Sequence, residues 1–171
     1  MDVYGAIKER RSIRRFEKRE IPDDAVGRLI EALLWAPSAG NLQSRKFYFV
    51  KDAALKRRLA SEALGQRFME DAPIVMVACA DEKSAAKRYG QRGAGLYCVQ
   101  DASISVMCLM LAARELGIGS VWVGAFNEEG VSRVLGLPAG LRPVAIVPMG
   151  FPAESPKAPK RVSPEEAVIF L

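Results

Sequence analysis

Gly95-Leu-Tyr-Cys-Val-Gln-Asp-Ala-Ser-Ile-Ser-Val-Met-Cys-Leu-Met-Leu-Ala-Ala-Arg-Glu115 is the stretch on which the fold turns. It reads as one long helix, apolar nearly all round, with Gly117 behind it as a natural C-terminal stop. Such a helix has to be covered on every side, in the centre of a domain or against a second subunit. Its most apolar run, Ala102 to Ala113, carries Ser103 and Ser105 and is closed by Arg114 and Glu115. That is short of the roughly 18 apolar residues a membrane span requires, so no membrane association is expected.

Shorter elements flank it. A first helix is predicted from Asp2 to about Arg10, followed by a charged connector from Arg11 to Glu20. Pro22 suits a first helical turn and Asp23 and Asp24 favour the positive end of a helix dipole. Val26, Leu29, Ile30, Leu33 and Leu34 then repeat at helical spacing until Pro37 ends the run. Lys46 to Val50 is strand-like in composition, Asp52 can cap a helix bearing Leu55 and Leu59, and Ile74 to Ala80 reads as a buried strand. Beyond Gly117, a strand is expected at Ser120 to Val123, a helix between Asn127 and Gly136, and a strand at Pro143 to Met149. Ser163, Pro164, Glu165 and Glu166 fit a capping box ahead of an apolar tail, Val168 to Phe170. The alternation lacks the even rhythm of a doubly wound fold. An α+β class with a mostly antiparallel central sheet flanked by helices follows.

The 171 residues, 50% apolar and 26% charged, suit a single domain spanning 1–171 that buries a real core. Cys79, Cys98 and Cys108 are too few and too far apart for a disulfide framework or a metal knuckle, and lie in apolar runs as buried hydrophobes of a reducing cytoplasm. The start carries no basic leader followed by an apolar stretch. Histidine is absent. That removes Ser–His and Cys–His nucleophiles, helical zinc sites and the usual proton shuttle, so neither a metal nor a catalytic side chain is assigned and a bound cofactor has to carry the chemistry.

Four segments carry candidate binding residues. Arg10, Arg11 and Arg14, with the Ser12 hydroxyl between them, can converge donors on a phosphate. Pro37-Ser38-Ala39-Gly40-Asn41-Leu42-Gln43 follows a periodic helix with small residues and two amides, which match the donor–acceptor edge of a flavin or a ribityl chain. Val123-Gly124-Ala125 follows a strand, where glycine lets a ligand approach the backbone. Lys160-Arg161 is a basic pair after the Pro-rich stretch Pro152 to Pro159. Each alone also reads as a solvated connector, a polar turn or a strand-to-loop bend. Neither a complete Gly-x-Gly-x-x-Gly nor a phosphate loop of the Walker type is present, so no separate nicotinamide-binding domain is expected.

Taken in order, Arg-Arg-Ser-x-Arg, Pro-Ser-x-x-Asn-x-Gln, Gly117-Ile-Gly-Ser-Val-Trp-Val-Gly124 after the long apolar helix, and the late basic pair resemble the nitroreductase family of FMN enzymes over essentially the entire chain, in a short form. The resemblance implies an intertwined homodimer with the apolar helix at its centre and FMN at the interface. It further implies that Arg10, Arg11, Ser12 and Arg14 hold the FMN phosphate, completed by Lys160 or Arg161. Pro37, Ser38, Ala39, Asn41 and Gln43 would reach the partner's flavin, Val123, Gly124 and Ala125 would lie near its reactive edge, and Gln66 would sit close by. The implied reaction is ping-pong: NADH or NADPH reduces the flavin and leaves, and a small nitroaromatic or quinone-like acceptor takes the electrons.

Where many members continue with Gln-Pro-Trp, Gln43 is followed here by Ser44 and Arg45, and Arg45 is a candidate to meet an anionic substrate or the reductant. The same fold also serves oxidases, dehalogenases and flavin-consuming enzymes. The net charge of +5 admits a nucleic-acid-binding module as a remote alternative. Against it, Glu17 and Glu20 interrupt the basic patch and no aromatic residues interleave with the arginines for stacking.

Overall fold

The computed structural model describes all residues from Met1 to Leu171. Its helices are α1 (Val3–Glu9), α2 (Asp23–Trp35), α3 (Ala53–Glu62), α4 (Glu82–Arg92), α5 (Cys98–Glu115), α6 (Glu128–Leu135) and α7 (Pro164–Ala167). Its strands are β1 (Arg45–Val50), β2 (Ile74–Asp81), β3 (Gly119–Ser120) and β4 (Leu141–Gly150). The strands form one sheet in the order β1-β2-β4-β3, every neighbouring pair antiparallel.

Alternation along β2 sorts the core into two layers. Val75, Val77 and Cys79 face Leu59 of α3 and Val131 of α6. Ile74, Met76 and Ala78 face Leu29 and Leu33 of α2 together with Val106, Leu109, Met110 and Ala113 of α5. The sheet is thus flanked by helices on both faces, as the composition of its strands requires. Capping follows the sequence closely: Asp2, Asp52, Asn127 and Ser163 each accept a backbone N–H from the first turn of the helix they precede. Gly117 and Gly136 take positive φ just past α5 and α6.

Several expectations need correction. The long helix begins at Cys98, not Gly95, and is preceded by a π-helical turn at Gly93–Tyr97 and by α4, which the sequence reading missed. The residues of α4 are too polar to show a helical apolar stripe; Asp81 starts it by accepting from both the N–H and the hydroxyl of Ser84. The helical path Glu82–Glu115, bent at Gly90, contains an 18-residue window of mean hydropathy 1.6, apolar enough by composition to cross a membrane, yet its best-packed face lies against the sheet. Ile104 and Met107 remain 41% and 39% exposed, so one chain covers only part of α5. Cys108 is half-buried, not buried.

The strand expected at Ser120 to Val123 is interrupted as well. Ser120 pairs with Met149 and Val123 with Ile146, but between them Val121 faces Pro148, which has no N–H to return. The ladder therefore lapses for two residues and resumes at Val123.

Candidate functional site

The connector after α1 is clamped along its length by backbone pairing. Ser12 bridges Ser120 in parallel and Ile13 N–H donates to the Ser120 carbonyl (3.1 Å). Phe16 then bridges Pro152, so the start of the Pro-rich segment runs antiparallel to residues 15–17. Ile13 and Phe16 are buried, which points the intervening arginines outward. The fit against β3 is close: a Cβ on Gly119 would lie 2.8 Å from Ile13 Cγ1.

Arg10, Arg11, Arg114, Ser120 and Glu154 line a cavity of about 150 Å³ at this junction. Burial, followed by the nearby charges of Arg161 and Arg11, pushes the Arg10 guanidinium below its ordinary pKa. The lining carries three guanidiniums, Arg10, Arg11 and Arg114, against two carboxylates, Glu9 and Glu154. Arg114 is held by Glu9 (2.7 Å), and its Nε is the one buried side-chain polar atom without a partner. Glu154 accepts the backbone N–H groups of Arg14 (2.5 Å) and Arg15 (3.2 Å), fixing the connector's far end. The Arg11 guanidinium donates to the carbonyls of Lys8 and Arg10 at the end of α1, so part of its capacity is spent. Lys160 is exposed, with its carbonyl accepting from Arg161.

Farther along the same edge, Gln66 Nε2 donates to the carbonyls of Ala63 (2.9 Å) and Ala125 (3.2 Å), and Arg14 lies 6.0 Å over the Phe68 ring. Arg14, Gln66 and Ala125 thus belong to one neighbourhood. Val123 spends both backbone groups on Ile146 and its side chain in the core, leaving exposed Gly124 as the open stretch of backbone.

The amide loop stands apart: neither Pro37, Ser38, Ala39, Asn41 nor Gln43 lines the arginine cavity. Gly40, Asn41 and Gln43 all adopt positive φ (54°, 55° and 51°), a strained run for two residues with side chains. Buried polar groups hold it. Asp101, 2% exposed in the first turn of α5, accepts from Ala39 N–H (2.9 Å) and from the Ser44 hydroxyl (2.7 Å). Arg45, 6% exposed, donates to the carbonyls of Leu34, Ala36 and Pro37, which α2 leaves unsatisfied at its end. Burial lowers its pKa while Asp101 opposes the shift. This corrects the expectation that Arg45 meets an anionic ligand; it is a buried cap. Asp101, Ser44 and Glu154 escaped sequence reading. The one signal for Asp101 was a carboxylate stranded in an apolar helix.

The family model of the Nitroreductase family matches residues 7–66 and 60–151. The chain belongs to the nitroreductase family. A Thermus thermophilus protein named NADH dehydrogenase is 32% identical, covering 99% of this chain and 96% of its own length. The Bacillus subtilis FMN reductase (NAD(P)H) is 30% identical over 98% of this chain and 72% of its own. Among solved structures, the Vibrio harveyi NADPH:FMN oxidoreductase, complexed with NAD+, superposes with a TM-score of 0.91 at 27% identity, covering 98% of this chain and 76% of that one. The FMN-dependent nitroreductase of Clostridium difficile gives 0.84 at 26% identity and covers 98% of both chains. The nitroreductase fold expected from the motifs is thereby established. As a nitroreductase of short form, the chain carries its motif residues on two separate surfaces.

Proposed function

We propose that this chain is one subunit of a homodimeric FMN-dependent oxidoreductase that uses NADH or NADPH to reduce a small nitroaromatic or quinone-like acceptor. The observation that carries this reading is the gathering of Arg10, Arg11 and Arg114 around one cavity, with an unpartnered buried Arg114 Nε and with Arg161 near enough for its charge to act on Arg10. A phosphate dianion suits that donor set, and guanidinium forks recognise its oxygens well. When bound, FMN supplies the chemistry a histidine-free chain lacks, accepting a hydride from the reduced nicotinamide and releasing two electrons to the acceptor.

The protein's own part is binding and orientation. Arg10 and Arg11 would hold the phosphate from the cavity wall, Ser12 and Arg14 would reach it from the adjoining connector, and Arg161, whose charge acts on Arg10, would help. Exposed Gly124 backbone and the Gln66 amide would border the ring. The Asn41 and Gln43 amides, exposed on a loop remote from this cavity, would serve the site of the second copy. The uncovered apolar side chains Ile104 and Met107 of α5 and Leu34 and Trp35 of α2 support a C2 interface there. The exposed tail Ile169-Phe170 is a further apolar segment for a partner to cover.

Purified protein should be yellow, with about one FMN per subunit as a C2 dimer requires. It should oxidise NADH or NADPH with a quinone or nitroaromatic in parallel-line kinetics. Arg14→Ala should retain less FMN. A colourless protein that does not bind added FMN would refute the proposal. A yellow one that neither nucleotide reduces would shift it to another flavin reaction.

A further inference from the structure

We propose that Arg88, Tyr89, Arg92 and Tyr97 form a subsite for the anionic group of a planar aromatic reactant, set beside the amide loop. The proposal rests on the flavoenzyme reading and deepens it toward specificity.

The two tyrosine rings meet edge to face, centroids 5.2 Å apart at 79°. Arg92 Nε donates to the Tyr97 hydroxyl (3.0 Å), and its Cζ lies 5.4 Å from that ring's centroid. Arg88 Cζ lies 5.5 Å from the Tyr89 centroid. Two cations thus alternate with two aromatic faces on α4 and the π-helical turn behind it. The set abuts the loop directly: a Cβ on Gly40 would collide with the Tyr89 hydroxyl and lie 3.3 Å from Arg88 Cζ. Tyr97 also lines an open cavity of about 560 Å³ together with Pro37, Ser38 and Ala39.

Charge gives the array its direction. Neither Arg88 nor Arg92 is engaged by a carboxylate, so both guanidiniums keep their charge for an incoming anion; what sets them apart from other unpaired cations is the ring each rests on. A guanidinium rested on a ring loses less freedom on engaging an anion than one waving in solvent, and its remaining N–H groups form a fork suited to carboxylate or phosphate. The ring beside it offers a stacking face to a planar molecule. Two sources carry this chemistry: the 2′-phosphate that distinguishes NADPH from NADH, next to adenine, and the carboxylate of an aromatic acceptor.

The test uses the holoenzyme and the variants Arg88→Ala, Arg92→Ala and the double mutant. KM is measured for NADPH against NADH at fixed acceptor, and for 4-nitrobenzoate against nitrobenzene at fixed reductant. Calorimetry of adenosine 2′-phosphate and 4-nitrobenzoate binding to the same proteins gives a readout that needs no turnover. The account expects one of the two KM ratios to shift roughly tenfold toward the uncharged or unphosphorylated member, in step with weaker binding of the matching anion. The pair that shifts names the source. FMN content in the variants reports that the fold persists. Unchanged ratios and unchanged anion binding in flavin-loaded variants would overturn the subsite while leaving the flavoenzyme reading intact. A wild-type chain without FMN would instead refute that reading, and the calorimetry would then decide the subsite alone.

Discussion

Residues 10–16 and residues 37–44 both lie outside the long helices and the named strands, and different forces fix them. The connector is laid against β3 and the segment after β4 by main-chain pairing, with Ile13 and Phe16 as apolar pegs. Its arginines are left outward. The amide loop pairs its main chain mostly with itself, Asn41 N–H to Ser38, Leu42 N–H to Ala39 and Arg45 N–H to Gln43. Apart from Asp81 N–H on the Ser44 carbonyl, it is tied to the rest of the molecule by two side chains, Asp101 and Arg45, buried under the end of α2. A region held by backbone pairing can change its side chains without losing shape. A region held by buried polar groups cannot, because each broken bond strands a desolvated partner.

The largest effect should therefore come from the loop. Arg45→Ala leaves three carbonyls unsatisfied and Asp101 without its nearby cation, and should cost about 3–5 kcal/mol of stability in urea titration. A loss under about 1 kcal/mol would mean the loop is held otherwise than by its polar bracket. Arg10→Ala in the connector should do the reverse: stability nearly unchanged, FMN affinity weaker by about 1.5–3 kcal/mol, roughly 10- to 100-fold. Gly119→Ala sharpens the contrast by wedging a methyl group against Ile13, which should cost about 1–3 kcal/mol and loosen FMN only secondarily. A control away from both regions should be smallest. Glu128→Gln removes the half-exposed pair with Arg142 and should cost below about 1 kcal/mol, with no change in FMN. Hydrogen bonding to Arg142 holds the Glu128 carboxyl below its usual pKa. That small contribution is present above the unfolded-state pKa, is lost as pH falls through the lowered folded value, and is absent in the variant.

The same contrast explains what could be read in advance. Helix starts at Asp2, Asp52, Asn127 and Ser163 depend on residues within one turn, so they are legible from local sequence. The cations of the connector announce their chemistry by type. Arg45 looked like a free cation because the carbonyls it satisfies are visible only once α2 and β1 are side by side. Asp101 lies 62 residues from Ala39, and Glu154 lies 140 from Arg14, distances over which pattern carries no information. The gap in the strand after Ser120 was set by Pro148 on the neighbouring strand. α4 escaped because its hydrophobic pattern is thin, and with it the Arg–Tyr array.

Subunit complementation addresses most directly the idea that one flavin is held by connector arginines of one chain and amide-loop residues of the other. A chain carrying Arg10→Ala and Arg14→Ala is mixed with one carrying Asn41→Ala and Gln43→Ala, each deficient in FMN alone, and the pair is refolded together. If the two regions serve opposite sites, the mixed dimer contains one intact site and regains about half of the wild-type flavin and turnover per dimer. If both regions serve the same chain's site, the mixed dimer stays as empty as its parents, and the two-copy account is wrong.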